Sequence, residues 1–205
     1  MSAHVDTFAR DHLPPRDEWP EFLFTLPELR YPPRLNCAAE LLDAMVAKGF
    51  GARPAVVTPE RTLSYAQLLA EANRIANVLV DQLGVVPGNR VLLRGFNNDV
   101  TAACWLAAVK AGAVVVTTMP LLRAKELTDV VRAAEISHAI CDARLIEELE
   151  AARAACPTLH TVVRSHGDAA DALAARAARA PETFANADTA SDDVCMIAFT
   201  SGTTG

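Results

Sequence analysis

The chain has 205 residues, 51% hydrophobic and 21% charged, which supplies the apolar mass of one full-sized domain and excludes a chain disordered throughout. A formal net charge of −6, with no lysine- or arginine-rich run, excludes the basic surface of a phosphate-backbone binder, so no nucleic-acid partner is expected. Five cysteines, Cys37, Cys104, Cys141, Cys156 and Cys195, are scattered in apolar surroundings without a C-x-x-C pair, as expected for small buried residues in a reducing cytosol.

No metal site is expected. Cys156 and His160 are suitably spaced, but Pro157 lies between them and no second pair exists, while His4, His12, His138 and His166 do not cluster. The first residues carry Asp6, Arg10, Asp11, Arg16, Asp17 and Glu18, which excludes the apolar core of a secretory signal and makes a cytoplasmic location the expectation. The longest apolar stretch, Ala102 to Leu122, is interrupted by Lys110, Gly112, two threonines and Pro120, so no membrane span is expected.

In chain order, Met1 to Pro33 is broken by Pro14, Pro15, Pro20, Pro27, Pro32 and Pro33 and reads as an extended arm. Its aromatics, Trp19, Phe22, Phe24 and Tyr31, would be costly to leave exposed together, so the arm is expected to lie in a groove on the longer parent protein. Leu41, Leu42, Met45 and Val46 carry helical spacing over Asn36 to Lys48, with Asn36 as cap and Gly49 as stop. A strand at Ala55 to Thr58 follows. Ser64 and Gln67 form a capping box for an amphipathic helix whose apolar face runs from Tyr65 to Leu83 and which Gly84 closes.

After the Pro87-Gly88 turn the pattern alternates. Strands are predicted at Arg90 to Gly95, Ala113 to Thr118, His138 to Cys141 and Thr161 to Arg164. Helices are predicted at Val100 to Ala111 capped by Asn98, Ala124 to Ala134, and Asp142 to Ala155. Such alternation implies an α/β fold: a doubly wound, mainly parallel sheet with flanking helices. Ser165 to Asp193, with Asp168 and Asp171 among alanine repeats, reads as a surface connection that leads back into a strand, Val194 to Phe199. Lys110, late in its helix, is expected to be solvated beside the helix dipole.

The strand runs into Thr200-Ser201-Gly202-Thr203-Thr204-Gly205. Glycines allow close backbone approach, and consecutive N–H groups with four hydroxyls can converge on phosphate oxygens. The spacing is not that of a Walker loop. Beyond strand ends in a doubly wound sheet is also where ligands bind.

Phe199 to Gly205 resembles the phosphate-binding loop of adenylate-forming acyl- and aryl-CoA synthetases, in which T-S-G-T-T-G is followed by proline and lysine. Arg61 to Leu68 resembles that family's first core motif. Val86 to Val91, Asn97, Ala107 to Val114, Pro120 and Lys125 to Leu127 resemble the second, although Asn89 replaces the usual aspartate and Thr117-Thr118-Met119 a proline-containing run. The opening Phe8 to Pro15, Glu18 to Pro20 and Leu35 to Leu42 is similar to bacterial 2-aminobenzoate-CoA ligases, with benzoate-CoA ligases near.

The resemblance implies the large N-terminal domain of a cytosolic ligase that uses ATP, Mg2+ and coenzyme A on a small aromatic acid. Ser201, Thr203 and Thr204 are implied as hydroxyl donors to the β- and γ-phosphates. Gly202 and Gly205 are implied as close backbone approaches, with Thr200 opening the loop. Residues 1–60 are read as arm, helix and first strand, and 61–205 as the α/β subdomain ending in the loop. Because the family's lysine, ribose-binding acid and C-terminal domain lie beyond such a segment, these residues are expected to hold no catalytic residue and to be inactive alone. Their last strand edge would be open to self-association into a homo-oligomer. Alternatives are a fatty-acyl-CoA ligase, a carrier-protein-loading adenylation domain, and a non-catalytic nucleotide-binding or interaction module.

Overall fold

The computed structural model describes residues 2–166, 169–170 and 172–200. Five parallel strands form the centre: β3 (Arg90–Arg94), β4 (Val114–Thr118), β5 (His138–Asp142), β6 (Thr161–Ser165) and β7 (Met196–Ala198), in the order β6-β5-β3-β4-β7. A separate antiparallel pair joins β1 (Pro54–Val57) to β2 (Thr62–Ser64). The expected doubly wound α/β architecture is present. Side chains alternate across the sheet as the strand period of two requires. Val91, Leu93, Val115 and Ile140 pack against α2 (Tyr65–Asn77) and α3 (Asp99–Lys110). Leu92, Val116, Ala139 and Cys141 pack against α4 (Ala124–Ala133) and α5 (Ile146–Arg153).

Local caps place the helices where the sequence puts them. The Ser64 hydroxyl accepts from Gln67 N at 3.3 Å while Gln67 Oε1 accepts from Ser64 N at 2.9 Å, and Asn98 Oδ1 accepts from Thr101 N at 2.8 Å. Asn36 Oδ1 accepts from Ala39 N at 3.2 Å, opening a helix over residues 37–50 that is wound largely as π turns at Ala39–Asp43 and Val46–Phe50. Periodicity cannot distinguish that winding from an α-helix. The predicted helix at Asp142 begins instead with a 3-10 turn, Ala143–Leu145, because the Asp142 carboxylate accepts from Arg144 N at 3.0 Å. Asp168 and Asp171 lie outside the described residues; the connection carries a short helix, α6 (Leu173–Ala177).

The N-terminal arm divides in two. Val5 N and Asp6 N donate to Pro87 O at 2.9 and 3.1 Å, Asn89 Nδ2 donates to Asp6 at 2.9 Å, and Asp6 forms an ion pair with buried Arg90, which stacks on Phe8. This seats residues 4–8, with a helical turn α1 (Phe8–Asp11), at the amino end of β3. Farther on, Trp19, Phe22, Phe24 and Tyr31 stack on one another with centroids 5.9–6.3 Å apart. Phe22, Phe24 and Tyr31 are more than half exposed in these residues and cover one another.

Two side-chain expectations are corrected. Lys110 is not solvated: it is fully buried, and its ammonium pairs with the Asp43 carboxylate. Burial lowers its pKa, opposed by Asp43. Asn186 Nδ2 donates to the other Asp43 oxygen at 3.0 Å, and Asn36 Nδ2 bonds Val109 O at 2.9 Å beside it. The cysteines are not uniformly buried: Cys104, Cys141 and Cys156 are, whereas Cys37 is half-buried and Cys195 exposed.

A buried cation deprived of its counter-charge destabilises far more than the intact pair stabilises. Asp43→Leu alone is therefore expected to cost about 3 kcal/mol in denaturant unfolding, and Asp43→Leu with Lys110→Met to recover most of that loss. Additive single losses in the double variant would refute the pairing. Gly88 has φ +91°, and a Cβ there would lie 2.0 Å from Asp6 O. Gly88→Ala is expected to release residues 4–8, read as lost hydrogen-exchange protection at the Val5 and Asp6 amides with the sheet amides unchanged.

Candidate functional site

The connections from β3 to β4 and from β4 to β5 run to opposite sides of β3, so the chain reverses its order between β3 and β5. Loops diverge at such a point and leave a crevice beyond the carboxyl ends of the strands. Here the crevice is a cleft of about 740 Å³ lined by Arg61, Phe96, Asn97, Asp99, Arg144 and His166. Its cations are partly neutralised. Arg144 binds the buried Asp142 carboxylate through Nε and Nη2 at 2.9 and 2.6 Å and stacks on Phe96 at 4.6 Å. Arg61 makes a bidentate contact with Glu71 at 2.9 and 3.1 Å and also pairs with Asp99.

Asp142 ends β5 and holds this corner together. Its carboxyl is kept below the usual carboxylate range by hydrogen bonds from Arg144, against the effect of burial, and His166 Nδ1 lies 3.6 Å away. His166 takes φ +59°, a conformation that non-glycine residues adopt rarely. The neighbouring corner depends on Arg94, the last residue of β3. This fully buried guanidinium donates to the carbonyls of Met119, Pro120 and Leu122 at 3.3, 3.1 and 2.8 Å, fixing the loop after β4. Burial lowers its pKa.

The α4 N-terminus beyond that loop is occupied by the protein's own carboxylates: Glu126 accepts from Arg123 N at 3.0 Å and Glu148 from Ala124 N at 2.8 Å. It therefore offers no free anion site. Among the described residues no group of three or more His, Cys, Asp or Glu is placed to hold a metal, and Cys156 and His160 face different partners, Thr128 O and Thr161. No helix among them is long and apolar enough to cross a membrane.

β7 is parallel to β4, with Thr117 opposite Ala198, so it delivers Thr200 to the same carboxyl side as the cleft. Thr118 at the end of β4 keeps a buried hydroxyl with no protein partner among the described residues. Thr200 is exposed; Ser201, Gly202, Thr203, Thr204 and Gly205 lie outside the described residues. The sequence motifs did not single out Arg94 or Asp142. The available signal was a charged residue closing an otherwise apolar strand: Val91-Leu92-Leu93-Arg94 and Ala139-Ile140-Cys141-Asp142.

Known proteins share this arrangement. The chain is 28% identical over 181 residues to the benzoate–CoA ligase of Thauera aromatica, covering 88% of this chain and 34% of that protein. It is 31% identical over 174 residues to the 4-hydroxybenzoate–CoA/benzoate–CoA ligase of Rhodopseudomonas palustris, covering 83% and 32%. The crystal structure of the anthranilate CoA ligase AuaEII in complex with anthranoyl-AMP superposes with a TM-score of 0.78 at 26% identity, covering 85% and 33%. The chain thus spans about a third of the length of these proteins. Residues 44–205 match the AMP-binding enzyme family, and with the parallel sheet that brings β7 to the cleft, they establish that the chain belongs to it.

Proposed function

We propose that these residues form part of an AMP-forming acid–thiol ligase acting on an aromatic carboxylic acid of the 2-aminobenzoate or benzoate type. The observation that carries this reading is the likeness, over 85% of the chain, to a ligase bound to anthranoyl-AMP, with the hydroxyl-rich Thr200 to Gly205 segment directly after β7.

In the first half-reaction a substrate carboxylate oxygen attacks the α-phosphorus of MgATP. The bond to the β,γ-diphosphate breaks, and acyl-adenylate and pyrophosphate result. In the second, the thiol of coenzyme A attacks the acyl carbon, expels AMP and leaves a thioester. The first step asks the protein to hold the phosphates in line with the carboxylate and to stabilise charge on the leaving pyrophosphate. Ser201, Thr203 and Thr204 are assigned as hydroxyl donors to the β- and γ-phosphates. Gly202 and Gly205 allow close main-chain approach, and Thr200 leads the loop from the strand. Magnesium enters as the counter-ion of the nucleotide substrate.

Arg94 and Asp142 act on this site only through others. Arg94 holds the carbonyls of the loop after β4, and Asp142 holds Arg144 on Phe96 at the cleft wall.

Acid-dependent ATP–pyrophosphate exchange by the full-length protein tests the reading, with 2-aminobenzoate, benzoate and a fatty acid compared side by side. Exchange is expected with one of the aromatic acids. Exchange with the fatty acid alone would establish a fatty-acyl ligase instead, and no exchange with any acid would leave a binding module. Thr203→Ala is expected to slow exchange on the order of 10²-fold, by analogy with loss of a single oxyanion donor. An unchanged rate would remove Thr203 from the assignment.

A further inference from the structure

The amino end of the sheet, opposite the cleft, contains a small cavity of about 70 Å³ lined by residues that include His4, Cys37, Val109, Gly112, Asp193 and Cys195. Cys37 follows the Asn36 cap at the start of the 37–50 helix. Cys195 precedes β7, and its carbonyl accepts from Val115 N at 2.9 Å. Long-range packing therefore brings together two thiols that lie far apart in the chain. Both side chains line this one small cavity and act on each other, and Cys195 is exposed while Cys37 is half-buried.

The chemistry of the pair is asymmetric. The contact with Cys37 holds the Cys195 thiol below its ordinary value, while that same contact and burial push Cys37 up. Elsewhere burial has the opposite consequence, pushing the Cys104 and Cys141 thiols up to about 12. An exposed residue whose thiol is the more readily ionised of two neighbouring thiols combines the features of a peroxide-reactive cysteine and its resolving partner. Acid activation at the carboxyl end of the sheet uses neither residue.

We propose that Cys195 and Cys37 form a reversible intramolecular disulfide in response to hydroperoxides, fastening the 37–50 helix to the start of β7. In the first step the Cys195 thiolate attacks the outer oxygen of the hydroperoxide. The O–O bond breaks, the departing oxygen takes a proton to become an alcohol or water, and Cys195 becomes a sulfenic acid. In the second, the Cys37 sulfur attacks the Cys195 sulfur, the S–O bond breaks, and hydroxide leaves with the Cys37 proton as water. Two thiols lose two electrons in all, and the peroxide gains them.

The crosslink bears on the strand that leads to Thr200. β7 pairs with β4 through three residues, Met196 to Ala198. A covalent bond one residue before it restrains its amino end.

Hydrogen peroxide titration of the purified full-length protein provides the test, followed by peptide mass analysis without reduction. The expected product is a crosslinked Cys37–Cys195 peptide lighter by two hydrogens, reversed by dithiothreitol, with Cys104, Cys141 and Cys156 still reduced. Hydrogen-exchange protection at Met196 to Ala198 is expected to rise on oxidation. In Cys37→Ala, a sulfenic acid trapped by dimedone on Cys195 is expected in place of the crosslink. A pair that stays reduced while bulk thiols oxidise, a disulfide to any other cysteine, or crosslinks only between molecules would overturn the proposal; each is read on the wild-type protein, independently of whether the variant folds.

Discussion

The structure depends on how the central strand β3 is closed at its two ends. All five of its residues are buried, between β4 and β5 and beneath helices on both faces, and yet it begins and ends with arginine. A buried guanidinium is tolerated only where its donors are satisfied. Arg90 reaches the carbonyls of Ala134, Glu135 and Gly88 at 2.8–3.1 Å and pairs with Asp6, which fastens the loop after α4 and the N-terminal arm to the amino end of the sheet. Arg94 does the same with main-chain carbonyls at the carboxyl end. Each arginine thus turns the cost of its own burial into the restraint of a loop. The cleft has a fixed wall because Arg94 has no water to turn to.

Much of the scaffold was legible because it is locally encoded. Ser64 with Gln67, Asn98 with Thr101 and Asn36 with Ala39 are contacts within one turn of chain, and each start was placed from the residue types alone. The apolar runs at 91–93 and 114–116 read directly as strands buried on both faces. What could not be read was set by partners far along the chain. Lys110 looks like any lysine in a last helical turn until Asp43, from another helix, and Asn186, from the connection, close over it. Cys37 and Cys195 look like two more small apolar residues until the fold places them side by side. At the carboxyl end, the contact of Arg144 with Asp142 is local, whereas His166 reaches Asp142 only through the pairing of β5 with β6.

The two ends of the sheet carry different kinds of chemistry. At the amino end, polar groups are consumed in structure: the arm's main chain bonds Pro87 O, and Arg90 is engaged with carbonyls and with Asp6. At the carboxyl end, charges are paired but remain at a solvent-filled cleft, with Arg144 and Arg61 each shared between carboxylates and open space. Electrostatic stabilisation of a developing anion requires donors that are oriented before the ligand arrives. Neighbouring carboxylates fix the orientation of Arg144 and Arg61 at this cleft. The open hydroxyl of Thr118 lies on the same side.

The segment between α6 and β7 shows how an aperiodic stretch can govern the site. Residues 178–193 have little regular structure, yet they are tied down along their length by side chains of α2 and of the arm. Asn73 Nδ2 bonds Glu182 O at 2.7 Å, Asn77 Nδ2 bonds Pro181 O and Thr183 O at 3.0 and 2.9 Å, and Arg34 Nε bonds Asp188 at 2.9 Å. Ala187 N donates to Lys110 O at 2.8 Å, which brings the belt across the end of α3 and helps close the pocket around the Lys110 ammonium. These contacts join amides and carbonyls, which carry no hydrophobic period, so composition alone gives the stretch the look of a loose connection. Their effect is to return the chain to the far side of β4 in a defined register, Val115 opposite Met196, and hence to bring Thr200 out at the carboxyl edge of the sheet. The point at which the chain leaves the sheet, at Thr200, is therefore set at the other end of β7, by the same belt and buried ion pair that seal the lower half of the core.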